Sequence, residues 1–260
     1  MSAPARDSKS ADTPQLALRL AQAFTTGAAI ARLEAALVPA DADGAYAVQD
    51  RLLQLLGGRA GGWKVGAKSP TGPIQGAPLP VQGLLASGAM VDRQAFTCIG
   101  IELEIAFRFG RHFAPAHRPY SEGEVIGALA GVCAAIEVVS SRFAAWPEVD
   151  RLLQLADLQN HGALIVGEFT DYRDDFPFAA PDVQFNFSGA DITPKPAANP
   201  AGDPRRLLAW VVNHCTMRGR AFEVGTIVTT GTYTGMYRVS GAGIARGEIA
   251  GLAPVLLRLD

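Results

Sequence analysis

The chain has 260 residues, 48% of them hydrophobic, which is enough for a generous core without disulfide or metal staples. A formal net charge of −2 gives no broad attraction for phosphate backbones or anionic lipid, which argues against nucleic acid and membrane surfaces as partners. Cys98, Cys133 and Cys215 are far apart in apolar surroundings and read as reduced core residues, and neither a signal-type apolar core nor an 18-residue apolar run is present, so the expected location is cytoplasmic.

In chain order, the first ten or so residues read as loose. Apolar residues from Leu16 to Leu37 then recur at helical intervals, broken near Thr25-Thr26-Gly27, and a second amphipathic run from Ala45 to Leu56 ends at Gly57-Gly58. Residues 1–58 therefore form an expected N-terminal helical region. From residue 59 to 260 the texture is β-rich, with short runs at Trp63–Ala67, Ile99–Phe109, Ala135–Val139, Ala163–Val166, Val183–Phe187, Thr226–Thr230 and Ala253–Leu259. Ser121-Glu122-Gly123-Glu124 is a capping box before Val125, Ile126, Leu129 and Val132. Asp203-Pro204 starts another helix, carrying Leu207, Leu208, Val211, Val212 and Cys215 and stopping at Gly219. The Pro-rich stretch Pro194–Pro204 is a long connection, and the Gly- and Pro-rich stretch from Lys68 to Gly88 is the first place to look for an active-site lid, whose existence the sequence does not decide. Gly241-Ala242-Gly243-Ile244-Ala245-Arg246-Gly247 mimics a dinucleotide loop, but too little chain follows for a βαβ unit, so it reads as a turn.

Ile101-Glu102-Leu103-Glu104-Ile105-Ala106-Phe107-Arg108-Phe109 alternates strictly, sending five apolar residues to one strand face and Glu102, Glu104 and Arg108 to the other. Acids two apart on a strand lie roughly 6–7 Å from each other, close enough to bend toward one cation. Glu137 sits inside the apolar run Val132–Val139, where an ionised carboxylate needs a cationic partner. Three carboxylates suit a hard cation such as Mg²⁺ or Mn²⁺. The competing account is a solvated outer face for Glu102 and Glu104 with Glu137 paired to an arginine.

Lys64, in Gly61-Gly62-Trp63-Lys64-Val65-Gly66, is a candidate for binding a substrate carboxylate or an ordinary strand-edge lysine. Asp157 precedes a β run and is either a proton acceptor or a turn cap. The hydroxyl-rich Thr229–Met236 segment offers amides and hydroxyls to an anion, or is a plain turn. Of the four histidines only His161 is a pocket candidate, and His214 reads as a helix residue.

Taken together, GWKVGAK, IELEIAF, IEVVSSRF, LADLQNHGALIVG and DPRRLLAWVVNHCTMRGRAFEVGTIVTTGTYTGM resemble, in order and approximate spacing, the 2-keto-4-pentenoate hydratase and 4-oxalocrotonate decarboxylase family of the fumarylacetoacetate hydrolase superfamily, from about Asp41 to the C-terminus. The resemblance implies an α+β fold: a mixed β-roll of the fumarylacetoacetase C-terminal type over 59–260, with helices packed on the sheets. It further implies homo-oligomers, association with a pathway decarboxylase or hydratase, and Mg²⁺ or Mn²⁺ held by Glu102, Glu104 and Glu137. The implied activity is a lyase: a hydratase acting on a 2-hydroxy-2,4-dienoate or related 2-oxo acid of aromatic catabolism, with decarboxylation or C–C hydrolysis on the same metal, or a catalytically altered binding relative, as alternatives. Lys64, Asp157 and His161 are the expected catalytic residues; Thr232, Gly231 and Arg142 the expected substrate contacts. The chain departs from the family at Pro80-Val81-Gln82-Gly83, where an acidic turn is common, and at Ser140, Leu158 and His161, so proton handling is expected to fall to Asp157 or His161.

Overall fold

The computed structural model describes residues 9–260. The loose N-terminus expected above falls mostly outside that range. The elements in order are α1 (Lys9–Thr26), α2 (Ala42–Leu55), β1 (Ala60–Gly66), β2 (Gln75–Pro80), β3 (Leu84–Ala86), β4 (Met90–Val91), β5 (Gly100–Phe109), α3 (Glu122–Ile126), β6 (Leu129–Val139), α4 (Arg151–Ala156), β7 (His161–Val166), β8 (Thr170–Asp171), β9 (Val183–Phe187), β10 (Ala190–Asp191), α5 (Arg206–Thr216), β11 (Ile227–Thr232), β12 (Tyr237–Arg238), β13 (Gly243–Ile249) and β14 (Val255–Leu259).

A nine-stranded mixed sheet runs β2-β1-β11-β5-β6-β7-β3, with β12 added to β5 and β8 to β6; a five-stranded sheet runs β10-β9-β13-β14-β4. The alternation in β5 explains why they pack. Ile101, Leu103, Ile105, Phe107 and Phe109 all enter one core with Phe185, Ala245, Val255 and Leu257 of the second sheet. Each such side chain is worth roughly 1.5–3 kcal/mol relative to exposure. The opposite face of β5 is thereby left to carry Glu102 and Glu104.

A second cluster joins Leu16 and Leu20 of α1 and Leu52 of α2 to Phe143, Leu153, Leu155 and Leu158. The helical reading of the N-terminal region holds for α1 and α2 but not between them: residues 27–34 are irregular, and Ile30 instead bridges to Phe143 beside the main sheet.

Four further expectations change. The Gly241–Gly247 stretch belongs largely to β13, because Gly243 and Gly247 let Phe187 and Leu103 approach where a Cβ would collide. The capping box at Ser121 forms, but α3 ends at Ile126, and Leu129 and Val132 belong to β6. Asp203 does not cap α5 directly; its carboxylate accepts from the Arg205 backbone N–H at 2.9 Å, one residue ahead of the helix. Part of the stretch from Lys68 to Gly88 is tied into the main sheet, since β2 pairs with β1 and β3 with β7.

Candidate active site

Strand register assembles the site. Glu102 stands directly opposite Glu137 across β5 and β6, Glu104 opposite Thr232 of β11, and Lys64 of β1 beside Thr229 of β11. A register shift in β11 between Thr229 and Thr232 turns the backbone of Gly231, at φ +86°, so that its N–H donates to Glu104 Oε2 at 3.1 Å. The Thr229 hydroxyl donates to the same oxygen. Asn199, in the long Pro-rich connection, pins this bulge by donating to the carbonyls of Thr230 at 2.9 Å and Gly231 at 3.1 Å.

One oxygen from each of Glu102, Glu104 and Glu137 lies within 4.8 Å of the others, at the floor of a cleft of about 1040 Å³. Lys64, Gly231 and Thr232 line the same cleft, with Gln159 and Asn160 on its wall. Glu137 does not pair with an arginine; the Lys64 Nζ donates to its Oε1 at 2.5 Å.

The electrostatics are those of an anionic cluster short of positive charge. Burial, then the charge of Glu137, pushes the Glu102 carboxyl up to about 7, Lys64 opposing. Burial and both neighbouring carboxylates raise Glu104 well above the usual range. Burial also works to raise Glu137, but Lys64 and His161 overcome it and hold that carboxyl low. Burial disfavours the Lys64 ammonium, yet Glu137, Glu104 and Glu102 outweigh it and keep it charged. Three all-oxygen ligands, two of them pushed toward the neutral form by burial and by neighbouring carboxylates, are the donor set a hard divalent cation fits, since its charge would favour all three carboxylates.

Three of the residues read from the sequence as catalytic or substrate-binding are not brought into the cleft. Asp157 is fully buried and accepts from Arg142 Nε at 2.5 Å, the Arg142 backbone N–H at 2.9 Å and the Ser141 hydroxyl at 3.1 Å. Arg142 is committed to the same pair, and its guanidinium lies over the Phe24 ring at 4.8 Å. Their mutual charge is what makes burial of both tolerable, and neither side chain lines the cleft. His161 lies behind Glu137, its Nδ1 3.4 Å from Glu137 Oε1, with burial holding the imidazole below its usual value and therefore neutral. The Pro80–Gly83 turn meets His161 through Gly83 and does not line the cleft.

Leu158, Gln159 and Asn160 sit at φ 48°, 52° and 58°, three successive non-glycine residues in the left-handed region, where L side chains cost roughly 1–2 kcal/mol each. Sequence inspection passes over this turn, because nothing in LADLQNHG contains the glycine such a conformation favours ahead of His161. We expect Gln159→Gly to be more stable than Gln159→Ala by about 1 kcal/mol, or roughly 2–4 °C in Tm. Equal melting temperatures would show that the turn carries no strain.

The two packed sheets and their carboxylate-floored cleft define an α+β enzyme of the mixed β-roll class. A family model described as fumarylacetoacetate (FAA) hydrolase C-terminal matches residues 75–253, and the chain belongs to that family. It is 30% identical over 250 residues to a 2-keto-4-pentenoate hydratase of Paraburkholderia phymatum, covering 92% of this chain and 94% of that one. A second 2-keto-4-pentenoate hydratase, from Burkholderia vietnamiensis, is 29% identical over the same shares. In fold the chain is similar to 4-oxalocrotonate decarboxylase from Pseudomonas putida G7 in complex with magnesium and adipate, with a TM-score of 0.84, 21% identity and full coverage of both chains. No helix among the described residues is long and apolar enough to cross a membrane.

Proposed function

We propose that the chain is a divalent-metal-dependent hydratase acting on a small 2-hydroxy-2,4-dienoate or its 2-oxo tautomer, with Glu102, Glu104 and Glu137 as the ligands of Mg²⁺ or Mn²⁺. The observation that carries this reading is the trio of carboxylate oxygens within 4.8 Å beside a charged lysine in an open cleft. The hydratase relatives support the substrate class. Bound there, the cation would supply a Lewis acid for the carboxylate and 2-oxo oxygens of the substrate.

The chain's own residues do the rest. Lys64 holds a proton at Nζ on the cleft wall; Gly231 and Thr232 of the adjacent strand β11 offer a glycine-turn backbone and a hydroxyl along the same cleft. With Asp157 and His161 outside the cleft, proton handling passes to Lys64. Homo-oligomeric assembly, implied by the family resemblance, belongs to the same proposal.

A second reading, action on a 2-oxo-enedioate, is favoured by Lys68 and Arg151. Both line the cleft beside Glu148, and neither is in an ion pair among the described residues, so they suit a distal carboxylate. Purified protein with Mg²⁺ or Mn²⁺ should consume 2-hydroxy-2,4-pentadienoate, followed as loss of dienol absorbance, without releasing carbon dioxide. Turnover confined to enedioates with carbon dioxide release favours the second reading, and no turnover with any substrate or metal overturns both.

A further inference from the structure

The turn at residues 158–160 has no glycine, lies in a backbone region that L side chains enter only at a cost, and is nevertheless bracketed by an unusual density of buried bonds. Arg142 directs its whole fork at it: Nε to Asp157 Oδ1 at 2.5 Å, Nη2 to the Asp157 carbonyl at 2.8 Å and Nη1 to the His161 carbonyl at 2.6 Å. Two donors thus grip the carbonyls on either side of the turn. The Asn160 carbonyl accepts from the Ser140 N–H at 2.8 Å, and the Asn160 N–H donates to the Asp157 carbonyl at 2.8 Å. At the apex the Gln159 carbonyl accepts from Lys64 Nζ at 3.0 Å.

A loop that merely joined α4 to β7 would gain nothing from this conformation. We infer that Arg142 and Asp157 are positioning residues: their buried pair holds residues 158–160 in a left-handed turn that carries the Gln159 carbonyl to the Lys64 ammonium and sets its direction relative to Glu137. The inference deepens the proposed function and rests on it for the kinetic readout alone. Arg142 acts through Lys64 and touches no substrate. Its planar fork spans two carbonyls and a carboxylate at once, a task a lysine's single ammonium cannot copy.

The test is Arg142→Lys in the full chain. Below its melting temperature, checked by circular dichroism, kcat for 2-hydroxy-2,4-pentadienoate with Mg²⁺ should fall about 10- to 100-fold, the scale of a misplaced catalytic group. KM and calorimetric Mg²⁺ affinity should stay near wild type. The ¹H–¹⁵N signal of the Lys64 ammonium, assigned by its loss in Lys64→Arg, should shift or broaden. An unmoved Lys64 signal overturns the inference whether or not kcat falls, because a purely structural role predicts only a lower Tm. If Arg142→Lys does not fold, Asp157→Asn, which keeps the shape and removes the charge, decides by the same readouts. If the wild-type protein turns over no dienoate, the functional reading fails, and the ammonium signal alone decides the positioning role.

Discussion

Glu104→Gln is expected to weaken Mg²⁺ binding at least about a hundredfold, roughly 3 kcal/mol, the cost of removing one partner from a buried charge contact. The metal-free protein should melt where wild type does. Burial and the two flanking carboxylates raise Glu104 well above the usual carboxylate range, so a neutral amide replaces a carboxyl whose charged form is already disfavoured, and a glutamine oxygen can still accept from Thr229 and the Gly231 N–H. The difference should therefore appear only on adding metal: wild type gains about 2.7 kcal/mol at 100 times Kd, and the variant gains little at the same concentration. Proton release supplies a second check. With Glu102 pushed up to about 7, binding at pH 7 must displace protons, so affinity should fall as the pH drops and the calorimetric heat should vary with the buffer. Unchanged Mg²⁺ affinity in Glu104→Gln would remove that residue from the proposed metal site.

Legibility of the site follows the range of the interactions. Glu102 and Glu104 can be placed on one face because the alternation in β5 is local, and the apolar half of that pattern is the half that packs on the second sheet. The partner of Glu137 is not legible, since Lys64 stands 73 residues away and only sheet register brings the two together. The pairing of Asp157 with Arg142 is hidden for the same reason: a carboxylate before a strand looks available until the arginine 15 residues earlier is found to occupy it. β13 reads as a turn because its glycines, which usually break strands, here admit Leu103 from the facing sheet and Phe187 from the adjacent strand. The left-handed turn at 158–160 has only one local signal, Asn160, a residue type that enters this region more readily than most. At Leu158 and Gln159 it is imposed by tertiary bonds that outweigh the preferences of those side chains.

Lys64→Met should lower kcat by about 10²–10⁴, the usual worth of a positioned proton donor or acceptor. A role confined to gripping a substrate carboxylate would raise KM and leave kcat alone. The geometry favours the first outcome. An ammonium has three donors, and two of those on Lys64 are taken by Glu137 Oε1 at 2.5 Å and the Gln159 carbonyl at 3.0 Å. The one that remains can serve a single atom in the cleft but not both oxygens of a carboxylate. The same substitution should expose the charge balance of the site. Without metal, the uncharged side chain of Lys64→Met would leave Glu137 buried beside two other acids with only a neutral imidazole near it. The variant should then be less stable than wild type by up to roughly 3–5 kcal/mol, less whatever Glu137 recovers by taking up a proton. Saturating Mg²⁺ should return most of that loss, because the cation replaces the ammonium as the partner of Glu137. A deficit in Tm that persists unchanged with Mg²⁺ would mean that the cation and Glu137 are not in contact, and would break the link between the lysine and the metal site.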